Sequence, residues 1–536
     1  MIKKIILLAA IITGMAACNE DVLDVENPNV PTRDTFWKTI DDAQMGLTAM
    51  YSQFTRVGNW SRWIYFRYDL TGDEAYSNSP WNELKDWTRF KYVNYNFIQG
   101  GHTIYKCHYK QIFEANQIIA YVPLIEGKDI AENLLRDQIV AQAKFVRAFD
   151  YFNLVVLFEN LEVALEPSNA GDNYEFAGPD VIYNIIIEDL KQAIEVLPEE
   201  WTGSDKGRVT KGGALALLGK VYMQLHRWQE AKDALSWLVE GDGAIYYDLM
   251  DNYFDNFTHY NENNMESVFE IQFSDVNETE MDRNNGSDID DNFPNMTVGN
   301  SRSQFFAPIG IGWCDGQPRP WLVTEYKREP TVDNSVNGTL IDDRLRVSII
   351  YPDIFKDFPN ETLFAGTIVK WKATWYKNLF FRKYGDDYFK DRTDYYSPIN
   401  IRVIRYADVL LCYAECLAQL DDLANAIPYV DRVRTRPSTN LPPLASSTVA
   451  EIAASVNSKE AFLKRLQMER ELELSLESVR WIDLRRWGLL DTQEGINELI
   501  SRDEDFLNFV LGKHQILPLP QFEVDNNPNM VQNPNY

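Results

Sequence analysis

The residues best equipped for chemistry in this chain are aromatic. Fourteen Trp and 28 Tyr offer flat apolar faces with a polar edge, the shape that covers the C–H side of a pyranose ring. Trp60, Trp63, Trp81 and Trp87 fall within 28 residues, among Tyr65, Tyr68 and Tyr76. The turn-rich segment Asp73 to Asn82 mixes such rings with a carboxylate and amides suited to hydroxyls in the ring plane. We expect Asp73, Tyr76, Trp81 and Asn82 to form one wall of a ligand site. Packing in a core competes with that role for every Trp, and Pro80 with its polar neighbours sets Trp81 apart. A second wall runs from Phe305-Phe306-Ala307-Pro308 through Trp313 to Trp321. There Gly310, Gly312 and Gly316 permit close backbone approach, and Trp313 and Trp321 are the candidate contacts. A third cluster, Trp371, Trp375, Tyr376 and Tyr384, alternates with Lys and Arg and reads first as scaffold or partner surface.

Other chemistries find less support. Cys107, Cys314, Cys412 and Cys416 include no CxxC pair and no Cys/His cluster, so no zinc site is expected. Cys412 and Cys416, four apart in a helical pattern, suit core packing better than a disulfide. The five histidines are scattered, without metal-ligand spacing. Asp282 to Asn292 is rich in oxygens but departs from the calcium-loop spacing, and a solvated loop is the better reading. No metal or cofactor is expected. Eighty acidic residues supply many carboxylate pairs for a glycoside hydrolase, which needs separations of about 5 to 9.5 Å, so abundance selects none. The net charge of −28 repels phosphate backbones and makes nucleic acid a poor partner.

These side chains need a frame, and hydrophobic period supplies one. Apolar stripes at 3.6-residue spacing run Ile40-Ala43-Leu47-Met50-Phe54, Ile104-His108-Ile112-Ala115-Ile119-Val122 and Leu135-Ile139-Ala143-Val146-Phe149. A fourth starts at Pro179, which suits a first helical turn, and stops at Pro198. Leu215-x2-Leu218-Gly219-x2-Tyr222 with Ala231-x3-Leu235 has tetratricopeptide spacing, and Leu410-x2-Tyr413-Ala414-x2-Leu417 with Ala426-x3-Val430 repeats the frame. The expected fold is mainly α, with tetratricopeptide-like hairpins over 36–240 and 401–536. Residues 241–400 form a loop-rich insertion with minor β-structure, including Ser267 to Phe273. Helices are expected to resume over Ile404 to Leu420 and Lys459 to Leu476.

The first residues address location. Lys3 and Lys4 precede a 13-residue apolar run, Ile5 to Ala17, too short for a ~30 Å hydrocarbon core and suited to a cleaved leader. Met15-Ala16-Ala17-Cys18 resembles the lipobox of bacterial lipoproteins, which implies lipid on Cys18 and a mature chain beginning there. Residues 18–35 then read as a tether.

Several blocks together resemble the SusD/RagB family of outer-membrane nutrient-binding lipoproteins. They are Asp24-Val25-Glu26-Asn27-Pro28 with Thr35-Phe36-Trp37, Ile404 to Leu411, Glu469 to Leu474, Arg480 to Trp487, and Asn526-Asn527-Pro528-Asn529 with Gln532 to Tyr536. The resemblance spans the chain and implies a single domain over 36–536 in which helix pairs carry a loop-rich binding part. It implies a glycan ligand, no catalysis, an outer-membrane position through the lipid anchor, and a SusC-like TonB-dependent transporter as partner. A tetratricopeptide scaffold that binds only proteins remains the further alternative. Two departures stand out: Glu159 to Leu165 lacks the family's Gly and Pro turn, and Asn535 replaces a glycine, which asks Asn535 for a left-handed conformation.

Overall fold

The computed structural model describes residues 36–92, 99–169, 171–275 and 299–536. Cys18, the tether and Asp282 to Asn292 lie outside the described residues. The mainly α reading holds. Helices α1 (Ile40–Ser52), α2 (Trp63–Leu70) and α3 (Asn82–Thr88) open the chain, followed by the longer α4 (Gln99–Tyr121), α5 (Ile130–Phe158), α6 (Pro179–Ile194), α7 (Lys211–Gln224) and α8 (Trp228–Val239). After the insertion come α9 (Tyr406–Gln419), α10 (Leu423–Arg434), α11 (Lys459–Leu474) and α12 (Arg480–Arg486). From α4 to α10 each helix lies against the next in chain order, and α11 packs on α9, which gives a row of antiparallel hairpins.

Local sequence explains the helix boundaries. Thr39 and Asp42 form a reciprocal capping box at the start of α1, Asp129 caps α5, and Pro179 occupies the first turn of α6. Ile40, Ala43, Leu47 and Met50 are all buried, as the stripe requires. The two repeat frames fall on α7/α8 and α9/α10, with Ala231, Leu410, Ala414, Ala426 and Val430 fully buried. At Gly219 a Cβ would stand 2.6 Å from Leu235, so the glycine admits the leucine of the facing helix. His108 continues the apolar stripe of α4 by hydrogen-bonding Asp150 at 2.7 Å in the core, and burial raises Asp150 to about 6. Cys412 and Cys416 are buried free thiols.

Among the described residues, short antiparallel strand pairs accompany the helices, and two of the four tie residues 241–400 to chain outside that stretch. The pairs are β1 (Ala75–Tyr76) with β5 (Gln317–Pro318), β2 (Leu161–Val163) with β3 (Glu175–Ala177), β4 (Ser267–Ile271) with β8 (Ile401–Arg405), and β6 (Ile349–Ile350) with β7 (Phe380–Phe381). The expected helix start at Ile404 is therefore corrected: Ile401–Arg405 extends along β4, and α9 begins at Tyr406. Period alone cannot separate a short apolar strand that feeds directly into a helix. Similarly α11 ends at Leu474: Ser475 leaves the helical region at ψ 139° and Leu476 then turns left-handed at φ 61°.

Where β8 meets α9, an ion network fills the interior. Arg405 donates to Glu266 (2.5 Å), Glu473 (3.1 Å) and Glu477 (2.7 Å), and Arg436 and Arg344 reach Glu473 at 2.8 and 3.1 Å. Lys383 of the insertion donates to Glu477 at 2.7 Å. Burial by itself would raise Glu473, but Arg436, Arg405, Arg344 and Lys383 outweigh it and hold the carboxyl at about 2. A second cluster joins Arg470 to Asp483 (2.7 Å) and Asp408 (2.8 Å), with Lys220 on Asp408 and Arg486 on Asp483 and Glu415. The charged blocks that carry the family resemblance thus brace the scaffold.

Candidate functional site

Pairing of β1 with β5 sets Tyr76 opposite Gln317, and this register lays the two expected walls side by side. The loop 77–81 is wound by short polar side chains: Ser77 N–H donates to Thr88 Oγ1 (3.1 Å), Ser79 N–H to Ser77 Oγ (3.2 Å), and Trp81 N–H to Ser79 Oγ (3.0 Å). Such local bonds fix a turn without regular structure. They deliver Trp81 to the residue just before α3, half-buried, between exposed Pro80 and Asn82. On the other wall, Trp313 N–H donates to Gln304 O (3.0 Å) and Asp315 N–H to Phe305 O (2.8 Å), with Cys314 between them at φ 57°. Left-handed backbone at a side chain larger than Gly or Asn is strained, and the surrounding bonds hold it. Gly310, at φ 81° with open space around it, takes the turn that precedes Trp313. Thr393 Oγ1 and Trp375 Nε1 pin this turn through Ile311 O (2.9 Å) and Ile309 O (3.1 Å).

Between the walls runs a spine of edge-to-face rings. Trp81 meets Trp63 at 4.8 Å and Phe66 at 6.2 Å, Phe66 meets Phe305 at 5.0 Å, and Phe305 meets Trp313 at 5.1 Å. Tyr395 closes the far end, 5.5 Å from Trp313. Buried rings hold the terminal ones, and Trp313 remains 48% exposed. The result is a ledge: Trp81, Asn82 and Trp313 supported from below, with Asn78 exposed beside them and bonded to Arg89 at 3.0 Å. Asp315 lies under it, hydrogen-bonded to Ser79 and raised by burial.

The other three expected contacts lie in a different constellation. Asp73 is fully buried, with Arg480 at 2.6 and 2.8 Å and Arg502 at 3.1 Å on its carboxylate. Burial pushes it up, yet the two guanidinium groups outweigh this and hold it at about 2. Its expected contact with ligand hydroxyls is corrected: Asp73 is buried and both carboxylate oxygens accept from arginines. Trp321 Nε1 donates to Asp73 O at 2.7 Å, and Arg502 covers its ring at 5.4 Å. Arg319 covers Tyr76 at 4.3 Å while pairing with Asp503 and Asp505. Asp73, Tyr76 and Trp321 thus clasp the insertion to residues 480–505, and their free faces are mostly spent. Of the third cluster, Trp375 and Tyr384 are buried as scaffold, and Tyr376 is exposed.

Sequence reasoning missed Tyr395 and Arg62. Arg62 lies buried with its guanidinium 5.0 Å from the Phe305 ring centre. Tyr395 is carried in by the bridge between Asn300 and Ser397, a contact across almost a hundred residues that no spacing announces. Among the described residues no group of three or more His, Cys, Asp or Glu is disposed to hold a metal ion, and no helix is long and apolar enough to cross a membrane.

Fold and ledge together define a class: a helical-repeat scaffold that presents aromatic rings on irregular, pinned loops. The chain belongs to the SusD family, whose model matches residues 265–536. A second model, described as starch-binding associating with outer membrane, matches residues 21–223. SusD-like protein P2 of Formosa agariphila is 26% identical over 532 residues, 95% of this chain and 96% of that relative. The crystal structure of a SusD superfamily protein from Bacteroides vulgatus is similar at a TM-score of 0.77 and 24% identity, over 94% of this chain and 100% of the other. Surface glycan-binding protein A from Bacteroides thetaiotaomicron, solved in complex with laminarihexaose, gives a TM-score of 0.71 at 20% identity, over 92% and 100% of the two chains.

Proposed function

We propose that this chain is a cell-surface lipoprotein that captures an oligosaccharide or polysaccharide and delivers it to a SusC-like TonB-dependent transporter of the outer membrane. The carrying observation is the ledge, where exposed Trp313 and half-buried Trp81 are held rigidly above a spine of buried rings. A stacking surface that is ordered before the ligand arrives loses little entropy on binding. Asn82 and Asn78 supply donors and acceptors at its edge. The family description and the laminarihexaose complex of a structural neighbour support a carbohydrate ligand. Lipid on Cys18 supplies the membrane tether, with the soluble body outside the bilayer.

A carbohydrate array probed with the full chain tests this reading. The expected result is saturable binding to at least one glycan that survives chelation, releases no new reducing ends, and weakens at least tenfold in Trp313→Ala. Unchanged affinity in that variant removes the ledge as the site. New reducing ends establish a hydrolase.

A further inference from the structure

Helix α4 carries two apolar faces, and the second is only partly spent in the core. Ile104, His108, Ile112 and Ala115 point inward and are fully buried. One residue further on, Tyr105, Tyr109 and Phe113 repeat at four-residue spacing along a neighbouring face. They line a cavity of about 620 Å³ whose other walls include Ser168, Asp172, Asn173 and Tyr174 and the C-terminal Asn526-Asn527 block. That volume falls within the ~300–1,000 Å³ common to small-molecule sites.

We propose that this groove is a second saccharide-binding site, separate from the ledge and independent of it. Its aromatic wall is partly free: Tyr109, Phe113 and Tyr174 are half-buried, and Tyr105 packs against Tyr109 with ring centres 4.6 Å apart. The floor is fixed by a closed set of hydrogen bonds. Buried Glu162 accepts from Asn527 Nδ2 (2.7 Å) and Tyr105 OH (3.2 Å), and its main-chain oxygen accepts from Tyr109 OH (2.8 Å). Asn527 and Asn529 hold Tyr174 in place through its carbonyl, at 3.2 and 2.9 Å. Around the rim stand Lys110, Asp172, Asn173 and Asn526, all exposed. Two lysines face Glu162, Asp172 and Glu523, a mixture of both signs that selects neither polyanion nor polycation. Flat rings below and short donors and acceptors around the edge suit an uncharged, polyhydroxylated ligand. The Asn526-Asn527-Pro528-Asn529 block thereby acquires a place in ligand binding that the ledge does not give it.

Native affinity electrophoresis of the full chain through gels containing laminarin, amylopectin, arabinoxylan, xyloglucan or galactomannan provides the test. Four proteins are compared: the unaltered chain, a ledge variant (Trp81→Ala with Trp313→Ala), a groove variant (Phe113→Ala with Asn526→Ala), and the combination of all four substitutions. Thermal unfolding confirms that each is folded, and Lys110→Ala with Asn173→Ala provides a milder groove variant. Residual retardation of the ledge variant in at least one gel, reduced threefold or more by the groove substitutions, supports the second site. Retardation abolished by the ledge substitutions alone overturns it while sparing the proposed function. Retardation that depends only on the groove relocates the ligand site and removes the ledge. No retardation of the unaltered chain in any gel overturns the groove proposal.

Discussion

The interior around β8, α9 and α11 and the ledge formed by residues 77–82 and 305–316 treat their polar and aromatic residues in opposite ways. In the first, charges are buried: Glu473, Glu469, Arg405 and Arg434 are essentially without solvent contact. Each is surrounded by opposite charge, which such burial demands. In the second, small polar side chains wind the loops and rings are brought to the surface over other rings. Geometry in the interior is specified by ion pairs in which each buried charge has a partner, so loss of one partner strands another. Geometry on the ledge is specified by turns and edge-to-face contacts whose outermost member can be removed. One region holds the fold, and the other brings ring faces to the surface.

Four experiments probe this contrast. Glu473→Ala should destabilise the chain by about 3–5 kcal/mol in urea unfolding, because Arg344, Arg405 and Arg436 lose a shared counter-charge. A cost below ~1 kcal/mol would mean that the network is dispensable. The next effect depends on pH. Burial first, then nearby Asp73, raises Glu471 to about 7 despite Arg480. The unfolded chain therefore releases this proton first, and the stability contributed by Glu471 is full below about pH 4.5 and declines as the pH rises towards 7. Glu473 and Glu469, both held at about 2, act in the reverse sense, contributing above pH 4.5 and failing as the pH falls towards 2. In Glu471→Gln, the loss of stability between pH 5 and 8 should shrink by on the order of 2 kcal/mol relative to the unaltered chain. Equal slopes in the two proteins would show that Glu471 is ionised throughout.

Trp313→Ala should weaken glycan binding about tenfold, or ~1.4 kcal/mol, while changing unfolding stability by less than ~1 kcal/mol. Comparable losses in both would place Trp313 with the structural rings. The smallest effect is expected at the C-terminus. Asn535 stands at φ 69° and donates to Gly512 O at 2.8 Å. Asn535→Ala should cost about 1 kcal/mol and Asn535→Gly less, by thermal unfolding.

The left-handed turn at Asn535 was legible because few residues can replace glycine there. The second departure, Glu159 to Leu165, was not: Glu159 turns at φ 68° and Leu161–Val163 pairs as β2, contacts with a strand a dozen residues later. Trp81 was separable from its neighbours by Pro80. Asp73 was misread because a carboxylate in a turn looks solvated until Arg480, about four hundred residues away, is found on it.

Local chemistry therefore determined the helices, their caps, the two repeat frames and the aromatic supply, since each depends on neighbours within a few residues. Tertiary structure alone decided which rings face water and which carboxylates are spent on arginines. Those outcomes depend on chain segments hundreds of residues apart competing for the same space and charge.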